Sequence, residues 1–334
     1  MRPQQSAILG LDFGGTKLAA GLVDPASGHV LARAVCPTPG AGGAPASIAA
    51  MLTLARNLFS ADGAMGRRGD SFTPSPPHPL TPSPPLGVGV SFGGPVEADG
   101  RTVRLSMHVS GWEGLALADL LGRELGAPAA VANDGDAAAL AEHRFGAGRG
   151  VRHMLYLTIS TGIGGGVIVD GRLHRGERAW AGEVGHIPLK PDGPPCPCGR
   201  NGCLESLSSG LSVARAARKR LQVGAESALQ SLPPDQITAR DVAEAAARGD
   251  ALAVAVWGEA MEWLGIGIAA AANVLNPGRV ILGGGLTRAG DLLFEPVRRV
   301  VERRVLDQAT AVLPAELGDE VGIVGGAALI LDVL

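Results

Sequence analysis

Twice in this chain an apolar, strand-like run stops at a short glycine turn carrying a hydroxyl, then resumes as a strand. The first instance is GLDFGGTKLAAGLVD, from Gly10 to Asp24, and the second is STGIGGGVIVDG, from Ser160 to Gly171. Each reads as a tight hairpin, one in each half of the chain. Backbone N–H groups of such a turn can face a phosphate, its hydroxyl can donate, and an acid at the strand end can hold hydrated Mg²⁺. In the first hairpin these groups are Asp12, Gly14, Gly15, Thr16 and Lys17; in the second they are Thr161 and Gly162. Neither turn is a Walker A loop, because that motif leads into a helix and these lead into strands. Alone, the first copy fits a plain glycine turn equally well; the second copy favours a phosphate clamp. A third cluster, ILGGGL at Ile281–Leu286, ends a strand before a helix, and Gly283, Gly284 and Gly285 would let a flat ligand approach the backbone.

Strands and helices alternate around these turns. Expected strands are Ser6–Asp12, Leu18–Asp24, His29–Cys36, Leu86–Ser91 and Ala129–Ala132, then Met154–Ile159, Gly166–Val169 and Val280–Leu282. Expected helices are Pro45–Phe59, Leu115–Leu125 and Asp134–Phe145, then Leu211–Leu221, Ala239–Arg248, Ala251–Val274, Leu292–Val305 and Ala327–Leu334. The pattern implies two parallel-type α/β domains. Their expected extents are residues 1–132 and 133–320, with a last helix in 321–334 packing back on the first. Residues 62–86 interrupt the alternation, holding seven of the chain's 24 prolines and repeating TPSPP. This stretch reads as an extended surface insertion. Replacing Gly63–Pro84 by a short glycine-serine link is expected to leave turnover near wild type, because each doubling of loop length costs only about 0.6 kcal/mol.

Composition narrows the partners. Hydrophobic residues make up 46% of 334 and charged residues 18%, enough for real cores. A net charge of −3 without a basic block argues against nucleic acid. The apolar stretch Leu264–Leu275 is glycine-interrupted and too short for a bilayer, so no membrane partner is expected. Met1 runs into the strand at Ala7 without a charged-then-apolar leader, and a cytoplasmic protein is expected.

The most specific stretch is GEVGHIPLKPDGPPCPCGRNGCLE, from Gly182 to Glu205. Cys196, Cys198 and Cys203 lie within eight residues, and nine residues separate His186 from Cys196. Three thiolates and one imidazole suit a closed tetrahedral Zn²⁺ site better than a disulfide framework.

Taken together, the DxGGT loop at Asp12–Thr16, NDGDAAALAE at Asn133–Glu142, the glycine signature from Gly162 to His186 and CxCGxxGCLE at Cys196–Glu205 resemble the ROK family of repressors and sugar kinases, its glucokinases above all. The resemblance spans nearly the whole chain except the proline-rich insertion. It implies two actin-like ATPase (ribonuclease H-like) domains with a nucleotide and sugar cleft between them. It further implies ATP and Mg²⁺ as cofactors, a structural Zn²⁺, a hexose substrate with glucose leading, and a homodimer or homotetramer. Asp134 matches the family's catalytic base, taking the proton of the attacking sugar hydroxyl, an effect of about 10²–10⁴ in rate. A helix-capping role for Asp134 is the alternative, with Asp136 a competing cap. Asn133, Glu183, His186 and Glu205 match positions that hold sugar hydroxyls, and Gly94 falls in the same set. His186 would then serve zinc with one ring nitrogen and sugar with the other.

Two segments depart from the pattern. SFGGPVEADG at Ser91–Gly100 stands where the family commonly has PGPVD. In LSMHVSGWEG at Leu105–Gly114, His108 occupies the place of a usual sugar-contacting asparagine, which leaves the sugar open. N-acetylmannosamine, N-acetylglucosamine, fructose and mannose are the alternative acceptors. A sugar-sensing repressor, which would carry a helix-turn-helix ahead of this core, is disfavoured because DxGGT begins at Asp12.

Overall fold

The computed structural model describes residues 7–59, 84–106 and 109–334. Most of the proline-rich insertion, and His108, lie outside the described residues. The chain divides into two compact units: residues 1–146, 175–179 and 319–334 form the first, and residues 147–174 and 180–318 the second.

In the first unit β1 (Ile8–Phe13), β2 (Lys17–Val23) and β3 (Val30–Pro37) form an antiparallel meander. After α1 (Gly43–Phe59), β4 (Val88–Phe92) joins β1 in parallel; after α2 (Leu117–Leu125), β5 (Ala129–Asn133) joins β4 in parallel, and α3 (Asp134–Phe145) follows directly. The strand order is β3-β2-β1-β4-β5. Leu9, Leu11 and Phe13 of β1 share one core with Met51 of α1 and Leu121 of α2. With a side-chain period of two, Gly10 and Asp12 must face the other side of the sheet.

The second unit repeats the plan. Strands β6 (Met154–Ile159), β7 (Ile163–Val169) and β8 (Arg172–Leu173) form the meander. Five helices follow β8: α4 (Leu204–Ser208), α5 (Gly210–Gln222), α6 (Ala239–Ala247), α7 (Ala251–Leu275) and, after β9 (Arg279–Gly283), α8 (Asp291–Arg304). Strand β9 pairs with β6 in parallel and β10 (Ala311–Pro314) with β9, giving β10-β9-β6-β7-β8, the same sequence of pairings as in the first unit. Both sheets are therefore mixed rather than parallel. Three residues join β1 to β2 and three join β6 to β7, whereas a parallel neighbour requires a crossover of a dozen or more.

The last helix, α9 (Val321–Leu331), packs on β1 and β4 in the first unit. It begins six residues before the expected Ala327. Gly322, Gly325 and Gly326 weaken a helix on propensity alone, yet here their bareness is what permits the contact. A methyl on Gly89 of β4 would stand 1.6 Å from the Gly326 carbonyl oxygen. The expected boundary at 132/133 lies instead at 146/147, because α3 packs against α9 and its Ala137 carbonyl abuts Gly325. Among the described residues α7 is one continuous 25-residue helix, long and apolar enough by composition to cross a membrane, so the shorter stretch read from sequence understates it. Its apolarity has a core explanation: Val256, Trp257, Met261, Leu264 and Ile268 are buried in the second unit's core with Leu155, Val280 and Val297. Strands β8 and β10 and helix α4 are absent from the expected elements, because they are short and carry no periodic pattern.

Candidate functional site

In the first unit the β1–β2 turn is held from behind. The Thr38 hydroxyl donates to the Gly14 carbonyl at 2.7 Å, the Thr38 N–H to the Thr16 carbonyl at 3.0 Å, and the Gly93 N–H to the Phe13 carbonyl at 3.0 Å. The Gly14 N–H turns inward to the Lys17 carbonyl at 3.1 Å. Gly15, Thr16 and Lys17 are left exposed. A turn with its carbonyls tied back presents N–H groups and a hydroxyl outward, as an anion site requires. Thr38 does not stand out in the sequence, where only its position after β3 hints at a buttress.

Asp12 stands opposite Ser91 in the β1–β4 register, and the Ser91 hydroxyl donates to its Oδ1 at 3.1 Å. Its carboxyl group lies on the α9 face, where a methyl on Gly322 would come within 2.4 Å of Cγ. Burial first, and the Asp134 carboxylate second, push the Asp12 pKa up to about 6, against the opposing pull of Ser91 and Lys17. Asp12 thus feels the Asp134 carboxylate within this unit. Mg²⁺ between such carboxylates and a phosphate fits a hard oxygen donor set.

Asp134 opens α3, where the helix dipole favours a carboxylate. The cap itself is neither Asp134 nor Asp136. It is Asn133, whose Oδ1 accepts from the Gly135 N–H at 2.9 Å while its Nδ2 donates to the Gly94 carbonyl at 3.1 Å. Asn133 and Gly94, both expected at the sugar, are thereby tied to each other. Asp136 is buried, with its Oδ2 4.0 Å from Nε of Arg175.

The second unit holds the other turn. The Ser160 N–H donates to the Gly162 carbonyl at 2.9 Å, closing a turn that spans Ser160, Thr161 and Gly162. Gly283–Gly285 lie beside it. A methyl on Gly284, whose φ is +87°, would stand 2.5 Å from the Ile159 carbonyl oxygen, and one on Gly285 would stand 3.6 Å from the Ser160 hydroxyl. Packing against β6 thus explains Gly284 before any ligand is considered. A 3-10 turn, Gly285–Ala289, intervenes between this cluster and α8, so the cluster does not open the helix directly.

One ligand atom from each of His186, Cys196, Cys198 and Cys203 lies within 4.8 Å of the others. Sγ of Cys196 is 3.6 Å from Nδ1 of His186, and Sγ of Cys198 is 3.7 Å from Sγ of Cys203. Tetrahedral zinc bonds imply edges of about 3.5 Å for N–S and about 3.8 Å for S–S pairs, so the donor set and its spacing fit that ion. Burial pushes the Cys196 thiol up to about 12 and raises Cys203 as well. For Cys198 burial is outweighed by hydrogen bonds from the Arg200 N–H and the neighbouring thiols, and its pKa falls. Thiols pushed up in this way stay protonated unless a cation draws the protons off. The other ring nitrogen of His186, Nε2, faces Oε2 of Glu183 at 3.8 Å. Gly202 is where the loop closes: its φ is +63°, and a methyl there would overlap the Lys190 carbonyl at 1.5 Å.

The candidate residues therefore fall into two groups. Asp12, the first turn, Gly94, Asn133 and Asp134 gather in the first unit; the second turn, Gly283–Gly285, Glu183, His186, Glu205 and the cysteines gather in the second.

Two units with this shared strand order, each carrying a hairpin turn, define the actin-like ATPase fold. Residues 82–333 match the model of the ROK family. The chain is 34% identical over 330 residues, 96% of each chain, to the glucokinase of Streptomyces coelicolor. It superposes with a TM-score of 0.77 on a ROK family glucokinase from Streptomyces griseus solved with glucose and AMPPNP, at 32% identity and covering 97% of this chain and 98% of that one. A ROK hexokinase from Thermus thermophilus gives a TM-score of 0.78 at 33% identity, covering 98% and 99%. This chain belongs to the ROK family.

Proposed function

We propose that the protein is an ATP-dependent hexose kinase that converts glucose to glucose 6-phosphate. The observation that carries this reading is the pairing, in one unit, of Asp134 at the head of α3 with Asp12 beside a glycine turn whose carbonyls are tied back. It is supported by the likeness to a glucokinase that binds both glucose and an ATP analogue. In this reading Asp134 accepts the proton of the attacking sugar hydroxyl. The turns around Gly15–Thr16 and Thr161–Gly162 hold the phosphates, and Gly283–Gly285 lie under the nucleotide. Asp12 would hold Mg²⁺, which supplies charge neutralisation at the transferring phosphoryl group. Asn133, Glu183, His186 and Glu205 grip the sugar hydroxyls, with Gly94 in the same set; His108, expected there too, falls outside the described residues. Zn²⁺ on His186, Cys196, Cys198 and Cys203 is structural and orients His186 and Glu183. The reading carries with it a cytoplasmic, glycolytic role and a homodimer or homotetramer.

A coupled ADP-release assay across glucose, mannose, fructose, N-acetylglucosamine and N-acetylmannosamine tests the substrate. Glucose should give the highest kcat/KM; a preference for an N-acetylated sugar would move the assignment to that kinase, and no transfer to any of the five would remove the kinase reading. Elemental analysis should find one zinc per chain. Chelation should lower both Tm and activity, because a closed zinc site contributes directly to folding. Full activity without zinc would reject the site.

A further inference from the structure

We infer that Glu205 is a positioning residue for the second glycine turn, and that through it the His186–Cys203 cluster sets the geometry of that turn. The two oxygens of its carboxyl group face different ways. Oε2 accepts the Ile163 N–H at 2.8 Å, at the point where the turn enters β7, while Oε1 lies 3.9 Å from the Sγ of Cys196. The bare Gly162 lets this carboxylate close on the turn: a methyl there would stand 2.4 Å from Oε2. The backbone that carries Glu205 is anchored on both sides. Cys203, a cluster member, immediately precedes α4, and the Leu204 N–H donates to the Ile187 carbonyl, one residue beyond His186. At the far end of α4 the Gly210 N–H donates to the Ser160 carbonyl at 2.8 Å. The segment from Cys203 to Gly210 therefore grips the turn at both its entry and its exit. A role at the sugar does not require this arrangement, since a carboxylate serving only sugar hydroxyls would leave the Ile163 N–H to another acceptor.

The inference rests on the reading of Ser160–Gly162 as a phosphate turn. Its test is calorimetric binding of Mg-AMPPNP without sugar to the zinc-loaded protein, for Glu205→Ala, Glu205→Gln and Thr161→Val. Both Glu205 variants lose the charge, but only the glutamine keeps an acceptor that reaches Ile163. Their difference therefore isolates a neutral hydrogen bond, worth up to about tenfold in affinity. Glu205→Ala should bind Mg-AMPPNP about tenfold more weakly than Glu205→Gln, which should stay near wild type. Hydrogen exchange at Ile163 should accelerate in Glu205→Ala and, in the wild type, on chelation. Equal affinities for the two Glu205 variants would overturn the inference; if Thr161→Val alone weakens binding, the phosphate turn stands without Glu205. If neither Thr161→Val nor Glu205→Ala changes affinity, the phosphate reading of the turn falls and takes the inference with it. Should Glu205→Ala fail to fold, unchanged Ile163 exchange on chelation of the wild type overturns the coupling by itself.

Discussion

Replacing Asp134 by asparagine should cut turnover by about 10²-fold or more, while directly titrated sugar affinity changes far less. The substitution keeps the shape of the side chain and an oxygen able to accept the Gly135 N–H, now 2.8 Å from Oδ1. The cap of α3 is supplied by Asn133, so the helix start should survive. What the amide lacks is the basicity to take a proton from a sugar hydroxyl. The loss should therefore fall on kcat and leave affinity, which the proposed function assigns to Asn133, Glu183, His186 and Glu205, nearly intact. KM alone mixes binding with chemistry, so the measurement is kcat beside an equilibrium titration. Glu205→Gln should show the opposite balance, weakening sugar binding at least as much as it slows turnover. Wild-type turnover in Asp134→Asn would remove this residue as the base.

Much of this arrangement is legible in the sequence. Short hairpin turns and the α/β alternation fix most elements to within a few residues, because burial periodicity and turn chemistry are local. The cysteine–histidine loop is legible for the same reason: its ligands sit close in the chain, and its prolines and glycines permit only tight closure. What stays hidden depends on contacts distant in sequence. Nothing in Arg175–Ala179 marks it as packing with the first unit, yet the Arg175 guanidinium lies against Gly100 and near Asp136. The glycines of α9 read as helix breakers until Gly89 and Asp12 appear opposite them. Thr38, just past β3, braces the first turn and Ser91 of β4 holds Asp12 beside it, in a register no local pattern reveals. Parallel sheets were expected from an order of elements that is itself right, since alternation alone does not separate a mixed sheet from a parallel one.

Asp12→Asn should stabilise the nucleotide-free protein while stopping the reaction. The folded-state pKa of Asp12 is raised from 3.8 to about 6, chiefly by burial and then by Asp134. Between those two values the folded state binds more protons than the unfolded chain, so stability falls as pH rises through that window. Above about pH 6 the full cost of holding a charged, buried carboxylate is present, at most ~3 kcal/mol for a shift of about two units. Below about pH 4 it disappears, because the group is then neutral in both states. An asparagine carries no charge to bury and can still accept the Ser91 hydroxyl. In metal-free buffer the variant should therefore melt higher than wild type above pH 6, and the two curves should converge as pH falls toward 4. Asp134→Asn should give a smaller change of the same sign, since Asp134 is the lesser cause of the shift. Turnover should move the other way: without the carboxylate proposed to hold Mg²⁺, whose charge neutralisation is worth several kcal/mol, it should drop by about 10²-fold or more. A difference in Tm that does not vary with pH would show that the substitution acts through packing and not through the buried charge. Retained turnover would show that Asp12 does not serve the metal.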